Sequence, residues 1–107
     1  MFDLILRNGT VYDGTGVPGS VCDVGVRDDR IADVGALGDD AERIIDCTGL
    51  AVTPGFIDIH THSDATLMAD ADGYSQLMQG VTTEIIGNCG FSCAPGQQQE
   101  LLEKFKV

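Results

Sequence analysis

The sequence predicts an α+β chain in two parts: a small antiparallel sheet up to about residue 50, then a strand, a helix and a second strand. Three observations carry this expectation. Short alternating apolar stretches separated by Gly- and Asp-rich turns fill the first half. After Gly49 the texture changes to a nearly continuous apolar run, "LAVTPGFIDIH". A one-sided helical pattern and a β-branched run then follow within about 35 residues, the length of a βαβ unit.

In chain order, "DLILRNGTVYDG" alternates Leu4 and Leu6 with polar neighbours, turns at Asn8-Gly9 and resumes at Val11, which predicts a hairpin. "SVCDVGVRDDRIADVG" repeats the device: Cys22, Val24 and Val26 share a face, "RDDR" turns the chain, and Ile31 and Val34 return. A short strand, "RIIDC", ends at Thr48-Gly49. Beyond Pro54-Gly55, residues 56–59 suit a short strand buried on both faces, as in a parallel sheet. In "DADGYSQLMQG", Tyr74, Leu77 and Met78 sit at offsets of three and four, giving a helix of about two turns closed by Gly80. "VTTEIIG" reads as the next strand, and "GQQQELLEKFKV" as the start of a further helix.

With 107 residues there is room for one small domain and a modest core, not for a large enzyme fold. Seventeen acidic against six basic residues give a formal charge of −11, which repels phosphate backbones and so excludes nucleic acid and anionic membranes as partners. The start has no basic leader and no run approaches the ~20 apolar residues of a spanning helix, so a cytoplasmic protein is expected. Cys22, Cys47, Cys89 and Cys93 form no CxxC pair; in a reducing compartment they are free thiols or ligands rather than bridges.

Both histidines of the chain stand in "HTH" at the end of the apolar strand. On an extended backbone, His60 and His62 project to the same side about 6–7 Å apart at their Cα atoms. Two rings so placed can converge on one Zn²⁺ at about 2.0–2.1 Å per bond. Taken alone, the pair also reads as two surface histidines on a turn. The second apolar strand ends in "GNCG", and in a parallel βαβ unit both strand ends face one crevice. Cys89 would then lie near the histidines as a soft thiolate ligand, the other reading being a small buried thiol. Asp64 is either a hydrogen-bond partner that orients an imidazole or a helix N-cap. Cys93, in a loop flanked by Gly and Pro, reads as structural.

"PGFIDIHTHSD" followed by "QGVTTEIIGNCGFSCAPG" resembles the amidohydrolase superfamily, and within it the N-acyl-D-amino-acid deacylases, or D-aminoacylases. The resemblance runs from about Asp3 to Pro95. HxH alone fits dihydroorotases and hydantoinases as well, whereas "GNCGFS" is more specific to the deacylases. The resemblance implies that residues 1–50 are part of a small β-sandwich and residues 51–107 the start of a metal-dependent (β/α)₈ barrel. It maps metal ligands onto His60, His62 and Cys89, holding one or two Zn²⁺. The implied reaction is attack of metal-activated water on the amide of an N-acyl-D-amino acid, releasing a carboxylate and a D-amino acid.

The same family uses two further histidines and an aspartate acid/base on later strands, which are expected beyond Val107. No third histidine occurs in the chain, and Arg7, Arg27, Arg30 and Arg43 all lie in the first half. By itself the 107-residue chain is therefore expected to bind metal weakly, self-associate through open strand edges and lack turnover. Two other readings stand beside this one. The first is a hydantoinase- or dihydroorotase-like cyclic amidohydrolase. The second is a non-catalytic metal-binding or structural remnant, if 107 residues is the true length.

Overall fold

The computed structural model of the chain describes residues 1–67, 72–90 and 92. The expected helix in "GQQQELLEKFKV" and the structural reading of Cys93 lie outside these residues. Two compact units divide the chain, Met1–Pro54 and Gly55–Val107.

The first unit is a five-stranded sheet. It is built from β1 (Phe2–Val11), β2 (Ser20–Arg27), β3 (Arg30–Gly35), β4 (Ala41–Asp46) and the short β5 (Ala51–Val52). The strand order is β3-β2-β1-β4, with β5 also on β1. Here the expectation of a wholly antiparallel sheet is corrected. β1–β2 and β2–β3 are antiparallel, but β4 and β5 both run parallel to β1. After β3 the chain passes to the far side of β1 instead of folding back on its neighbour, and a parallel neighbour is the result.

A buried carboxylate holds that crossover in place. Asp23, 5% exposed, accepts the Asn8 N–H at 2.9 Å through Oδ1 and the Leu37 N–H at 3.1 Å through Oδ2. Arg7 Nη1 lies 3.3 Å from the same Oδ2 and donates to the Leu37 carbonyl at 2.8 Å, while Nη2 reaches Asp39 Oδ1 at 2.8 Å. The segment that leads into β4 is thus tied back to β1 and β2.

Asn8-Gly9 is not a hairpin turn, contrary to the sequence expectation. β1 continues through it, with a shift of register against β2 between Leu6 and Gly9 and Asn8 at φ 58°. Asn tolerates the left-handed region better than most residues, and the Asp23 carboxylate secures its N–H, so the pair makes a bulge. "RDDR" does turn the chain: Asp28 and Asp29 have φ 49° and 61°, the two positive values of a type I′ hairpin between β2 and β3. The core is small. Ile5 is fully buried, with Val24 and Cys47 close to it in burial.

The second unit pairs β6 (Phe56–Asp58) with β7 (Val81–Glu84) in parallel. Between them come two single-turn helices, α1 (Ser63–Thr66) and α2 (Tyr74–Leu77). The strand–helix–strand order was legible, but α1, which only the N-cap reading of Asp64 allowed for, precedes α2, and α2 has one turn rather than two. Gly73, at φ 56°, starts α2, and the Gly80 N–H bonded to the Leu77 carbonyl ends it. β6 is also not buried on both faces: Phe56, Ile57 and Ile59 are 58%, 62% and 71% exposed. Among the described residues the two-stranded ladder has no further strand to cover it. Close strand approach requires glycine at 55, where a Cβ would collide with the Thr82 side chain. No helix among the described residues is long and apolar enough to cross a membrane.

Two outcomes follow from this packing. Asp23→Ala should cost the first unit about 3 kcal/mol at pH 7, read as faster amide exchange in β1 and β2, because it strands the N–H donors of Asn8 and Leu37. The Asn8 N–H, then the Leu37 N–H, lower the Asp23 pKa against desolvation, with a smaller contribution from Arg7. With the native pKa below the unfolded value of about 3.9, the carboxylate's contribution is complete at neutral pH and lost as pH falls below about 4. The gap between wild type and Asp23→Asn should therefore close in acid; a gap independent of pH would contradict this account. In the second unit, Gly55→Ala should speed exchange of the Ile85 N–H, which bonds the Asp58 carbonyl at 2.8 Å, by roughly tenfold or more.

Candidate metal centre

The C-terminal ends of β6 and β7 lie side by side, since Asp58 pairs with Glu84 and the Ile85 N–H bonds the Asp58 carbonyl. Parallel pairing makes the segments that leave these strands neighbours. One segment carries His60 and His62, the other Cys89. Their donor atoms all lie within 4.8 Å of one another. His60 Nε2 is 3.0 Å from Cys89 Sγ, and the two imidazoles are 5.6 Å apart between centroids with planes at 72°.

The histidines are not on the strand itself, which corrects the extended-backbone argument. β6 ends at Asp58, and His62 occupies the N-cap position of α1 with φ −118°. Asp58 turns the chain there, its Oδ1 accepting the His60 N–H at 3.0 Å. Asp64 is not the N-cap; it stands in the first turn of α1, half buried. Cys89 is exposed, so the reading of a buried thiol does not hold; among the described cysteines Cys47 is the buried one.

Cys89 has φ 57°, costly for a residue with a Cβ by about 1–2 kcal/mol. Gly87 and Gly90 beside it, at φ 84° and 68°, supply the freedom this tight turn needs. The backbone thus accepts strain at the residue whose sulfur faces His60. Several polar residues that the sequence reading passed over tie the two segments together. Ser63, 2% exposed, donates its hydroxyl to Glu84 Oε2. Asn88 Nδ2 donates to the carbonyls of Ile85 at 2.8 Å and Thr61 at 3.4 Å. The available signal was position alone: Ser63 follows His62, Glu84 closes β7, and Asn88 precedes Cys89.

This donor set suits a thiophilic divalent ion. For a tetrahedral Zn²⁺ with nitrogen at about 2.0–2.1 Å and sulfur at about 2.3 Å, ligand atoms sit roughly 3.3–3.6 Å apart. The observed separations need only small side-chain rotations to reach that spacing. All three donors are exposed, so a substrate or water has access to the same point.

With the parallel strand ends and the two-histidine, one-cysteine cluster defined, comparison with known proteins places the chain. It belongs to the amidohydrolase family, which it matches over residues 43–106. It is 52% identical over 95 residues to a D-aminoacylase of Alcaligenes xylosoxydans xylosoxydans, covering 88% of this chain and 20% of that one. Among solved structures, a D-aminoacylase with a binuclear metal centre superposes with a TM-score of 0.85 at 55% identity, over 90% of this chain and 20% of that one. An N-acyl-D-glutamate deacylase from Bordetella bronchiseptica, complexed with zinc and a phosphonate inhibitor, gives 0.84 at 44% identity, over 89% and 20% respectively. The chain thus spans about a fifth of the length of the relatives it matches.

The thiols offer a direct check on this geometry. Exposed Cys89 should alkylate with iodoacetamide at least about tenfold faster than Cys47, which is 6% exposed. Equal rates would mean that the 89 turn is not open as described.

Proposed function

We propose that this chain forms part of a zinc-dependent amidohydrolase that cleaves the amide of N-acyl-D-amino acids, giving a carboxylate and a D-amino acid. The observation that carries the reading is the convergence of His60, His62 and Cys89 in a chain similar to a D-aminoacylase and an N-acyl-D-glutamate deacylase. The same similarity supports reading residues 1–50 as part of a β-sandwich and 51–107 as the opening of a (β/α)₈ barrel. The acidic composition, a formal charge of −11, disfavours nucleic acid and an anionic membrane as partners. A cytoplasmic location remains the reading of the sequence.

In this proposal His60 and His62 present imidazole nitrogens and Cys89 a sulfur donor to one or two Zn²⁺. Zinc supplies positive charge at that point, which polarises an amide carbonyl and acidifies water. The bond from the His60 backbone N–H to Asp58 fixes the main chain from which the imidazole projects. Asp64, two residues past His62, is assigned to orient an imidazole and choose which ring nitrogen faces the metal. The left-handed turn aims the Cys89 sulfur at His60 without help from a substrate. The general acid/base aspartate belongs to a later strand of the proposed barrel.

The test is an assay of the protein at the length of its relatives against N-acyl-D-amino acids, N-acyl-L-amino acids and hydantoins. The D-amides should be preferred by roughly a hundredfold or more in kcat/KM, a difference of about 2.7 kcal/mol in transition-state binding. His60→Ala, His62→Ala and Cys89→Ala should each lower zinc affinity about a hundredfold or more and reduce the rate with it. Preferential hydantoin cleavage, or zinc content and rate that survive loss of Cys89, would overturn the assignment. The 107-residue chain by itself should bind zinc weakly, scatter light as more than a monomer of 11.3 kDa and show no turnover.

A further inference from the structure

The three donors come from two segments, and a chain ligand site works best when its segments are in register before the metal arrives, because ordering them afterwards costs affinity. One side chain touches both backbones close to the donors. Asn88, half buried, donates from Nδ2 to the Ile85 carbonyl at 2.8 Å and to the Thr61 carbonyl at 3.4 Å. Thr61 is the residue between the two histidines, and its own N–H reaches the same Ile85 carbonyl at 3.4 Å. A single carboxamide therefore joins the HTH peptide to the segment leaving β7, one residue before Cys89.

The strain at Cys89 points the same way. A non-glycine residue at φ 57° stays there only when its surroundings over-determine it. The Asn88 carboxamide is anchored to two carbonyls, Ile85 of its own segment and Thr61 of the HTH segment. If those bonds were lost, the 89 turn could relax toward negative φ, and the sulfur would swing away from His60.

We propose that Asn88 is a positioning residue that clasps the HTH segment to the Cys89 turn and so presets the spacing of the metal donors. The proposal rests on the reading of His60, His62 and Cys89 as ligands. The β6–β7 ladder has its own backbone pairing, and Ser63 of α1 separately bonds Glu84 at the end of β7, so removing the carboxamide leaves the ladder joined. Asn88 touches no metal in this scheme; it acts through the backbone on either side of the ligands.

The protein at the length of its relatives, stripped of metal, is titrated with Co²⁺ alone, following the thiolate-to-cobalt charge-transfer band and the dissociation constant. Wild type should show the band. Asn88→Leu, close in size and without a donor, should bind Co²⁺ roughly 10–100-fold more weakly with a shifted or diminished band, while exchange of the Ile85 N–H is unchanged. In metal-free wild type, the Asn88 carboxamide protons should exchange at least about tenfold more slowly than those of asparagine in an unstructured peptide; this arm needs no variant. If wild type gives no cobalt–thiolate band, the ligand assignment falls and the clasp with it. If wild type gives the band and Asn88→Leu matches it in affinity and spectrum, the clasp alone falls. Carboxamide protons that exchange as freely as those of the unstructured peptide before metal is added overturn it equally.

Discussion

The candidate centre depends on β6 and β7 running parallel. An antiparallel pair would place the end of one strand beside the start of the other, and the HTH and GNCG segments would leave at opposite ends. The parallel ladder, with Asp58 opposite Glu84 and the Ile85 N–H on the Asp58 carbonyl, sends both segments out together. Each further contact refines that placement. Asp58 turns the chain at His60, Ser63 meets Glu84, and Asn88 spans the gap between Thr61 and Ile85. Donor atoms 29 residues apart in sequence thereby reach 3.0 Å.

The first unit solves a different problem with the same economy of polar groups. Its core holds few fully buried apolar side chains, so hydrophobic burial alone specifies the strand order weakly. Asp23 adds direction. By accepting the Asn8 and Leu37 N–H groups and facing Arg7, one carboxylate supports the bulge in β1 and the crossover that makes β4 a parallel neighbour. A buried charge is tolerable here because every bond it makes replaces one it had with water.

The two units differ in where strain is placed. In the first, positive φ falls on Asn8, Asp28 and Asp29, residues suited to bulges and primed turns, so little is stored. In the second, it falls on Cys89. Strain at Cys89, which sits between Asn88 and Gly90 with its sulfur facing an imidazole, supports the proposal of a donor set in advance of its ligand. The similarity to zinc- and metal-containing deacylases agrees with that reading, although the chain spans only about a fifth of their length.

Much of this was legible in the sequence. The RDDR turn was readable from residues that accept positive φ, and the HTH and GNCG motifs carried both the family and the three residues proposed as donors. Those features are local, or depend on residue type, and periodicity and chemistry suffice for them. The rest depended on pairing between distant segments. Asn8-Gly9 has the chemistry of a hairpin turn, and only the carboxylate of Asp23, fifteen residues away, makes it a bulge. The parallel placement of β4 required knowing that Arg7 and Asp23 hold residues 37–39. Asn88 is an ordinary polar residue in the sequence, and it becomes a bridge only because the parallel ladder brings the Thr61 carbonyl within its reach. The sequence by itself determined which atoms can bind a metal; the tertiary structure decided that they meet, because the distance between donors is set by strand direction and register.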